Sequence, residues 1–167
     1  LYFDNDISSN LTPNNYIACG APGYCFLFNA AVGITVRNFD LVSNTPYTGD
    51  AFRFSGTQSN LLVEDNTYNG YNWLVVADGA SATNVTIRRN TAITAQNGIH
   101  VANPYGNISI TDNSVTNGAG LALQLMNMTN VNLNTFELKR NDFRNKFTLI
   151  LISLIFCSEQ FTNLSFE

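Results

Sequence analysis

The sequence predicts an all-β fold, a single-stranded parallel β-helix, on two observations. Short segments that alternate apolar and polar residues begin at Asn60, Asn84, Asn107 and Asn130, so they recur every 23 or 24 residues. A fixed period in this range is typical of repeat proteins, and alternation of this kind is typical of half-buried strands. Because no helical pattern separates the copies, successive strands should lie side by side in parallel, one turn of the chain apart.

Alignment of the copies predicts three short strands and three turns in each coil, with about five to six coils of 22–27 residues. The first strand of a coil should point two apolar side chains inward: Ile34 and Val36, Leu61 and Val63, Val85 and Ile87, Ile108 and Ile110, Val131 and Leu133. Arg37, Glu64 and Arg88 occupy one outward position in successive coils, which should lie ~4.8 Å apart. Their alternating charge predicts a stack of surface ion pairs.

The corner after this strand carries Asn66, Asn90 and Asn113 at equivalent positions, with Phe39 before them and Phe136 after them. Asn enters a sharp corner at low cost because it tolerates the left-handed backbone region. Stacked side-chain amides can donate to one neighbour and accept from the other, as in the Asn ladders of repeated segments. We therefore predict a structural asparagine ladder in which these three amides lie in single file.

A second, shorter strand should follow each corner, beginning at residues 40, 67, 91, 114 and 137. A third strand follows after a loop of variable length, and its copies span residues 25–28, 51–54, 73–76, 98–101 and 120–123. Its predicted inward side chains are Phe26/Phe28, Phe52/Phe54, Leu74/Val76, Ile99/Val101 and Leu121/Leu123. Its predicted outward side chains are Leu27, Arg53, Val75, His100 and Ala122.

The two ends of the chain depart from this repeat. Residues 1–22 are expected to form a partial first coil and a loop, so that the β-helix spans residues 1–145. From about residue 146 the repeat disappears, and residues 147–157 form an apolar run that is too short to span a bilayer. Two interpretations of the 146–167 tail fit this pattern: a cap over the open end of the β-helix, or an artefact of the gene model.

Composition predicts a folded, secreted or cell-surface domain. Of the 167 residues 45% are hydrophobic and 12% charged, a balance that favours a packed core over disorder. The net charge of −4 without a basic stripe disfavours nucleic acid as a partner. Cys19 and Cys25 are close enough in sequence for a disulfide, although buried free thiols explain them equally well. Glycosylation triplets that favour secretion begin at Asn10, Asn84, Asn107, Asn127 and Asn163.

The segment Asn84-Val-Thr-Ile-Arg-Arg-Asn90-Thr91, repeated in each coil with an asparagine at the corner, resembles the right-handed parallel β-helix superfamily that includes pectate lyases and polygalacturonases. The resemblance covers about residues 24–145. Members of that superfamily cut, epimerise or bind acidic polysaccharides, usually in a groove along one outer sheet beside the longer loops. The resemblance therefore implies a right-handed β-helix with a carbohydrate site on the face of the third strand.

On this resemblance the catalytic candidates are Arg53, His100 and Asp50. The substrate-binding candidates are Tyr71, Trp73, Asp78, Asn103 and Tyr105. This is the region of the chain where its single His and single Trp can converge with an Arg and two Asp. Arg53 and His100 should lie two coils apart, or ~10 Å, a distance that would span one sugar unit.

The resemblance disfavours glycoside hydrolysis. Residues 44–50 are similar to the Asn-Thr-Asp-Gly segment of polygalacturonases, and residues 98–100 echo part of the Gly-His-Gly that follows. The coil between them, however, has Gly70-Tyr71-Asn72 where those enzymes carry paired Asp, and hydrolysis needs two carboxyl groups across the bond. A lyase instead needs a neutralised substrate carboxylate, commonly through calcium, and a base, which in pectate lyases is typically Arg. Arg53 is then the candidate base, with Asp50 and Asp78 as the candidate calcium ligands.

Two functions remain open at this point, and the sequence leaves open whether the protein is an enzyme. The first is a polysaccharide lyase or epimerase acting on acidic polysaccharides, or a degenerate relative of one. The alternative is a non-catalytic glycan- or surface-binding module of the adhesin, tailspike or cell-wall type. An ice-binding surface is disfavoured, because Leu62 and Asn132 interrupt the outward column of Thr35, Thr86 and Ser109.

Overall fold

The computed structural model describes the backbone of residues 16–19, 23–29, 32–43, 45–79, 81–128, 130–132, 135–144 and 146–153. It describes the side chains of these residues except for 16–19, 130 and 146–153. Most of the predicted partial coil at the start of the chain lies outside the described residues, as do Leu133 and residues 154–167 of the predicted tail.

Three parallel sheets make up the fold. Sheet A contains β1 (Tyr16–Cys19), β4 (Asp40–Ser43), β7 (Thr67–Tyr71), β10 (Thr91–Ala95) and β13 (Ser114–Val115). Sheet B contains β2 (Tyr24–Asn29), β5 (Asp50–Ser55), β8 (Trp73–Ala77), β11 (Ile99–Ala102), β14 (Gly118–Met126) and β17 (Lys146–Ser153). Sheet C contains β3 (Thr35–Arg37), β6 (Thr57–Glu64), β9 (Ser81–Arg88), β12 (Pro104–Thr111), β15 (Asn130–Val131) and β16 (Glu137–Lys139).

The strands wind as a right-handed parallel β-helix, as the sequence predicted. Each strand pairs in parallel with a strand of the same sheet one coil away, and right-handed winding is the sense that parallel connections adopt. Four coils each supply one strand to every sheet: β2 to β4, β5 to β7, β8 to β10, and β11 to β13. The β-helix of about four turns is therefore slightly shorter than the predicted five to six coils.

The interior is a single column of apolar side chains, because every coil repeats the same inward positions. Sheet C supplies the predicted pairs of the first four copies, and Val36, Val63, Ile87 and Ile110 are fully buried among them. Val131 pairs with Gly106, so it does not continue the column of Ile108 as predicted. Aromatic rings fill the first coils, where the Phe52 ring centroid lies 5.3 Å from that of Phe26. Burial of this continuous column supplies the main driving force for folding.

The asparagine ladder is confirmed. Asn66 Nδ2 donates to Asn90 Oδ1 at 2.9 Å, and Asn90 Nδ2 donates to Asn113 Oδ1 at 3.0 Å. Each Oδ1 also accepts the backbone N–H of the residue one coil earlier, beginning with Phe39 N, which lies 3.0 Å from Asn66 Oδ1. All three side chains are buried, so the ladder satisfies backbone and side-chain polar groups that water cannot reach.

The ladder continues to Asn141, and the prediction that Phe136 follows it was wrong. Asn113 Nδ2 donates to Asn141 Oδ1 at 2.9 Å, 28 residues along the chain. In the same coil Leu138 pairs in register with Ile110, so Glu137 belongs to sheet C rather than to sheet A. This last coil is longer than the others because the chain inserts residues between β15 and β16, and β15 pairs only with the start of β12.

The register of the third strand differs from the prediction in two coils. Phe52 pairs with Val75 and Val75 with Ile99, so Val75 and Ala77 continue the inward columns of Phe52 and Phe54. Leu74 is buried in the core as predicted, whereas Val76 is buried outside the core cluster. Ile99 pairs with Leu123. The outward column of sheet B is therefore Leu27, Arg53, Val76, His100 and Gln124, in place of a column containing Val75 and Ala122.

Charges at the corner between sheets C and A alternate from coil to coil. Arg88 Nε donates to Glu64 Oε2 at 2.8 Å, which confirms the predicted pairing of these two residues. Beside them, Arg89 Nε donates to Asp65 Oδ1 at 2.7 Å, and both residues adopt the left-handed backbone region. Partly exposed pairs of this kind add little stability, so the core and the ladder dominate.

The tail predicted to begin at residue 146 starts with a strand. β17 pairs in parallel with β14 and becomes the sixth strand of sheet B, with Leu123 opposite Ile150. The backbone pairing of the β-helix therefore continues to residue 153, past the predicted boundary. Within the described residues, no helix is long and apolar enough to cross a membrane.

Candidate functional site

Arg53 and His100 lie on the same outward column of sheet B, as the coil spacing predicted. Val76 stands between them, because it pairs in register with Arg53 on one side and with His100 on the other. Leu27 and Gln124 extend the column by one coil at either end. This outward column and the side chains that contact it form what we call the sheet B face.

Two carboxylates bind the guanidinium of Arg53. Its Nη1 lies 2.8 Å from Asp50 Oδ2, and its Nη2 donates to Asp78 Oδ2. The carbon of the same guanidinium lies 5.6 Å from the centre of the Tyr24 ring, within the range of a cation–π contact. Arg53 thus links the start of β5 to the turn after β8, and its pairing leaves the group half-buried.

Asp50 is nearly buried, and its electrostatics reflect this position. Loss of solvation on burial raises the pKa of the Asp50 carboxyl above its usual value, and this outweighs the hydrogen bond and the charge of Arg53, which lower it. The charge of Asp78 raises the pKa further and that of His100 lowers it. Asp50 and Asp78 therefore form one electrostatic unit with Arg53 and His100.

His100 connects this unit to the aromatic part of the face. Its Nδ1 lies 2.8 Å from Gln124 Oε1, and its ring centroid lies 5.5 Å from that of Trp73. Partial burial lowers the pKa of His100 below its usual value, and the hydrogen bond with Gln124 only partly offsets this. The ring is consequently uncharged at neutral pH, and it presents one polar edge beside a half-buried indole.

Asn103 lies beside the turn that carries Asp78, and Tyr105 lies on a different sheet. Asn103 Nδ2 donates to the Gly79 carbonyl at 3.1 Å, and its Oδ1 accepts from Asn127 Nδ2 at 2.8 Å, so the side chain stabilises stacked turns. Tyr105 belongs to β12 of sheet C and is 54% exposed. Neither residue has a described contact with Arg53 or His100.

Tyr71 was predicted to contact substrate, but its side chain is buried in the core, where a sugar cannot reach it. Among the described residues its hydroxyl is one of the buried polar atoms without a partner, and burial raises the pKa of Tyr71 to about 12. We expect Tyr71→Phe to leave glycan binding unchanged and to stabilise the fold by about 1 kcal/mol, because it removes an unsatisfied polar group. Urea denaturation would measure this gain, and a loss of stability would reveal a partner for the hydroxyl.

Tyr24 and Gln124 belong to the site and were not among the predicted residues. The correct register of β14 would have identified Gln124, since this residue occupies the outward position beside His100. Tyr24 is the first residue of β2, one residue before the predicted strand, and it pairs in register with Asp50. The sequence gives no signal for the contact between Tyr24 and Arg53, because this contact depends on the conformation of the Arg53 side chain.

The predicted calcium ligands do not fit a metal site. Asp50 and Asp78 both direct an oxygen at Arg53, so the guanidinium occupies these oxygens and repels a second cation. The described part of the chain contains no group of three or more His, Cys, Asp or Glu residues arranged to hold a metal ion. Asp50 and Asp78 are therefore structural partners of Arg53 rather than calcium ligands.

No family model matches the chain, and no curated protein or solved structure matches it. The parallel β-helix thus stands on the strand pairing alone.

Proposed function

We propose that the protein is a secreted or cell-surface module that binds a polysaccharide or other glycan through the sheet B face, without cutting it. The observation that carries the proposal is the convergence of Trp73, His100 and Arg53 on one outward surface. An aromatic ring flanked by fixed polar groups suits a sugar, which has apolar ring faces and hydroxyl edges. Successive coils of the β-helix are evenly spaced along this face, which suits a polymer with a repeating unit.

A binding role is favoured over a lyase or epimerase because Arg53 is occupied. A base must be free to take a proton from the substrate, yet both terminal nitrogens of this guanidinium donate to carboxylates. Extracellular location is supported by the disulfide at Cys25, since disulfides persist in oxidising compartments. Its predicted partner, Cys19, has a side chain outside the described ones.

Replacement of Trp73 tests the proposal. We expect Trp73→Ala to weaken glycan binding at least about tenfold, because a central aromatic anchor is lost, while the fold is retained. Tyr105→Ala is the matched control, since it removes an exposed ring from sheet C. Titration of both variants on the polymers that the wild type selects from a glycan array gives the comparison. Equal affinity of Trp73→Ala and wild type would place the site elsewhere.

Incubation with polygalacturonate and with alginate, each with calcium, tests the catalytic alternative. A lyase would generate unsaturated products that absorb in the ultraviolet, and we expect none. If product does form, and Arg53→Lys abolishes it while Tyr105→Ala does not, then the protein is an enzyme and the binding role is secondary.

A further inference from the structure

We propose that the sheet B face selects uncharged glycans and rejects polyanionic ones such as polyuronates. This inference rests on the proposed function and goes further, because it names the class of ligand. It reverses the preference for acidic polysaccharides that the resemblance to pectate lyases implies.

The charges on the sheet B face disfavour an anionic ligand. In the described outward column of sheet B, Arg53 is the only guanidinium or ammonium group, and two carboxylates already neutralise it. With Asp50 and Asp78 ionised and Arg53 protonated, these three groups sum to one negative charge. A uronate approaching this surface would meet no unpaired cation.

His100 does not change this balance at neutral pH. Partial burial disfavours its charged form, and the hydrogen bond with Gln124 holds its Nδ1 edge. Its other contact is the Trp73 ring, which is apolar. The groups that remain for recognition are therefore a ring face, an amide and an uncharged imidazole, which suit hydroxyl groups.

Displacement of Asp50 or Asp78 by a ligand carboxylate is the route by which an acidic glycan could still bind. Asp50 is 4% exposed, so its release would leave a buried carboxylate without its partner. Asp78 is more accessible, because 26% of its side chain is exposed. Asp78 is accordingly the residue whose charge most directly opposes an acidic ligand.

The experiment compares binding of galacturonan with that of its fully methyl-esterified form, together with mannan, xylan and alginate, at low salt. The two galacturonans share a backbone, and the methyl ester replaces each charged carboxylate with an uncharged, more apolar group. Mannan and xylan are therefore the uncharged polymers without esters. We expect an uncharged polymer to bind at least about tenfold more tightly than any polyuronate of similar length. Equal or tighter binding of galacturonan or alginate would overturn the inference and leave the proposed function standing. No binding of any glycan would overturn the proposed function itself.

The variant Asp78→Asn isolates the contribution of this charge. The amide Oδ1 can still accept from Arg53, so the geometry is kept while one negative charge is removed. We expect galacturonan to bind about fivefold more tightly at low salt, and this gain should exceed any change for the uncharged polymer that binds best. Asp112→Asn removes the same charge from the corner that carries Arg140, and it should change neither affinity. An equal gain in both variants would show that the net charge of the chain, and not this face, excludes acidic glycans.

Discussion

Replacement of Asn90 by Ala is expected to lower the free energy of unfolding by about 3–5 kcal/mol. The Asn90 amide donates to the Val63 carbonyl at 3.0 Å and to Asn113 Oδ1, while its own Oδ1 accepts from the backbone N–H and the side chain of Asn66. Alanine would leave several of these groups buried and unpaired, and each unsatisfied group costs about 1–3 kcal/mol. Urea denaturation of wild type and variant measures the difference.

Two further substitutions show whether the ladder causes this loss. Asn29→Ala removes an exposed amide at the end of β2, and surface changes of this kind stay within about 0.5 kcal/mol. Asn90→Asp keeps the shape but replaces the donor with an acceptor that carries charge at neutral pH. It should be strongly destabilising at pH 7 and less so in acid, where protonation restores a donor. A loss below 1 kcal/mol for Asn90→Ala would show that the ladder contributes little.

The sequence could predict the ladder and the first-strand columns because their spacing is constant. Asn66, Asn90 and Asn113 recur in phase with alternating strands, and alternation fixes which side chains face inward. The third strand lacks this signal in one coil, since residues 73–77 form a nearly continuous apolar run. A one-residue shift of register there leaves the inner face equally apolar, yet it places Val76 instead of Val75 on the outer face.

The last coil was mispredicted because residues 130–136 resemble the repeat without occupying its position. The segment begins with an Asn at the expected spacing, but inserted residues delay the true strand to Glu137–Lys139 and the ladder residue to Asn141. The sequence nevertheless marks Asn141 as a ladder residue. Its signal is the pair of basic residues before it, Lys139 and Arg140, which matches Arg88 and Arg89 before Asn90.

The candidate site was predictable in place but not in chemistry. Coil spacing alone brings Arg53 and His100 to one face, because both occupy the same outward position two coils apart. The pairing of Arg53 with Asp50 and Asp78 depends on side-chain direction and on the turn after β8, neither of which the repeat specifies. Because of that pairing, Arg53 is a structural bridge and not a free base. Asp50 and Asp78 are bound to Arg53 and are not available as calcium ligands.

Replacement of Phe52 by Ala is expected to destabilise the protein by about 3–5 kcal/mol. Phe52 is fully buried, and its ring centroid lies 5.3 Å from that of Phe26, 5.8 Å from Phe39 and 5.7 Å from Tyr68. Alanine would forfeit the transfer free energy of the ring and leave a cavity, because the surrounding rings belong to sheets A and B and to the corner before β4 and cannot close it without moving strands. Phe52→Leu should recover about half of the loss.

The position of the damage distinguishes a solenoid from an ordinary core. In a β-helix each coil contacts mainly its neighbours, so a cavity at Phe52 should weaken the first two coils most. Amide hydrogen exchange of Phe52→Ala is expected to lose protection in β2 to β7 while β11 and β12 remain protected. Ile93→Ala, at a half-exposed position of β10, should change neither region. Uniform loss of protection along the chain would show that all coils unfold as one unit. In that case the cavity would also weaken the Trp73 and His100 end of the sheet B face, although Phe52 contacts neither residue.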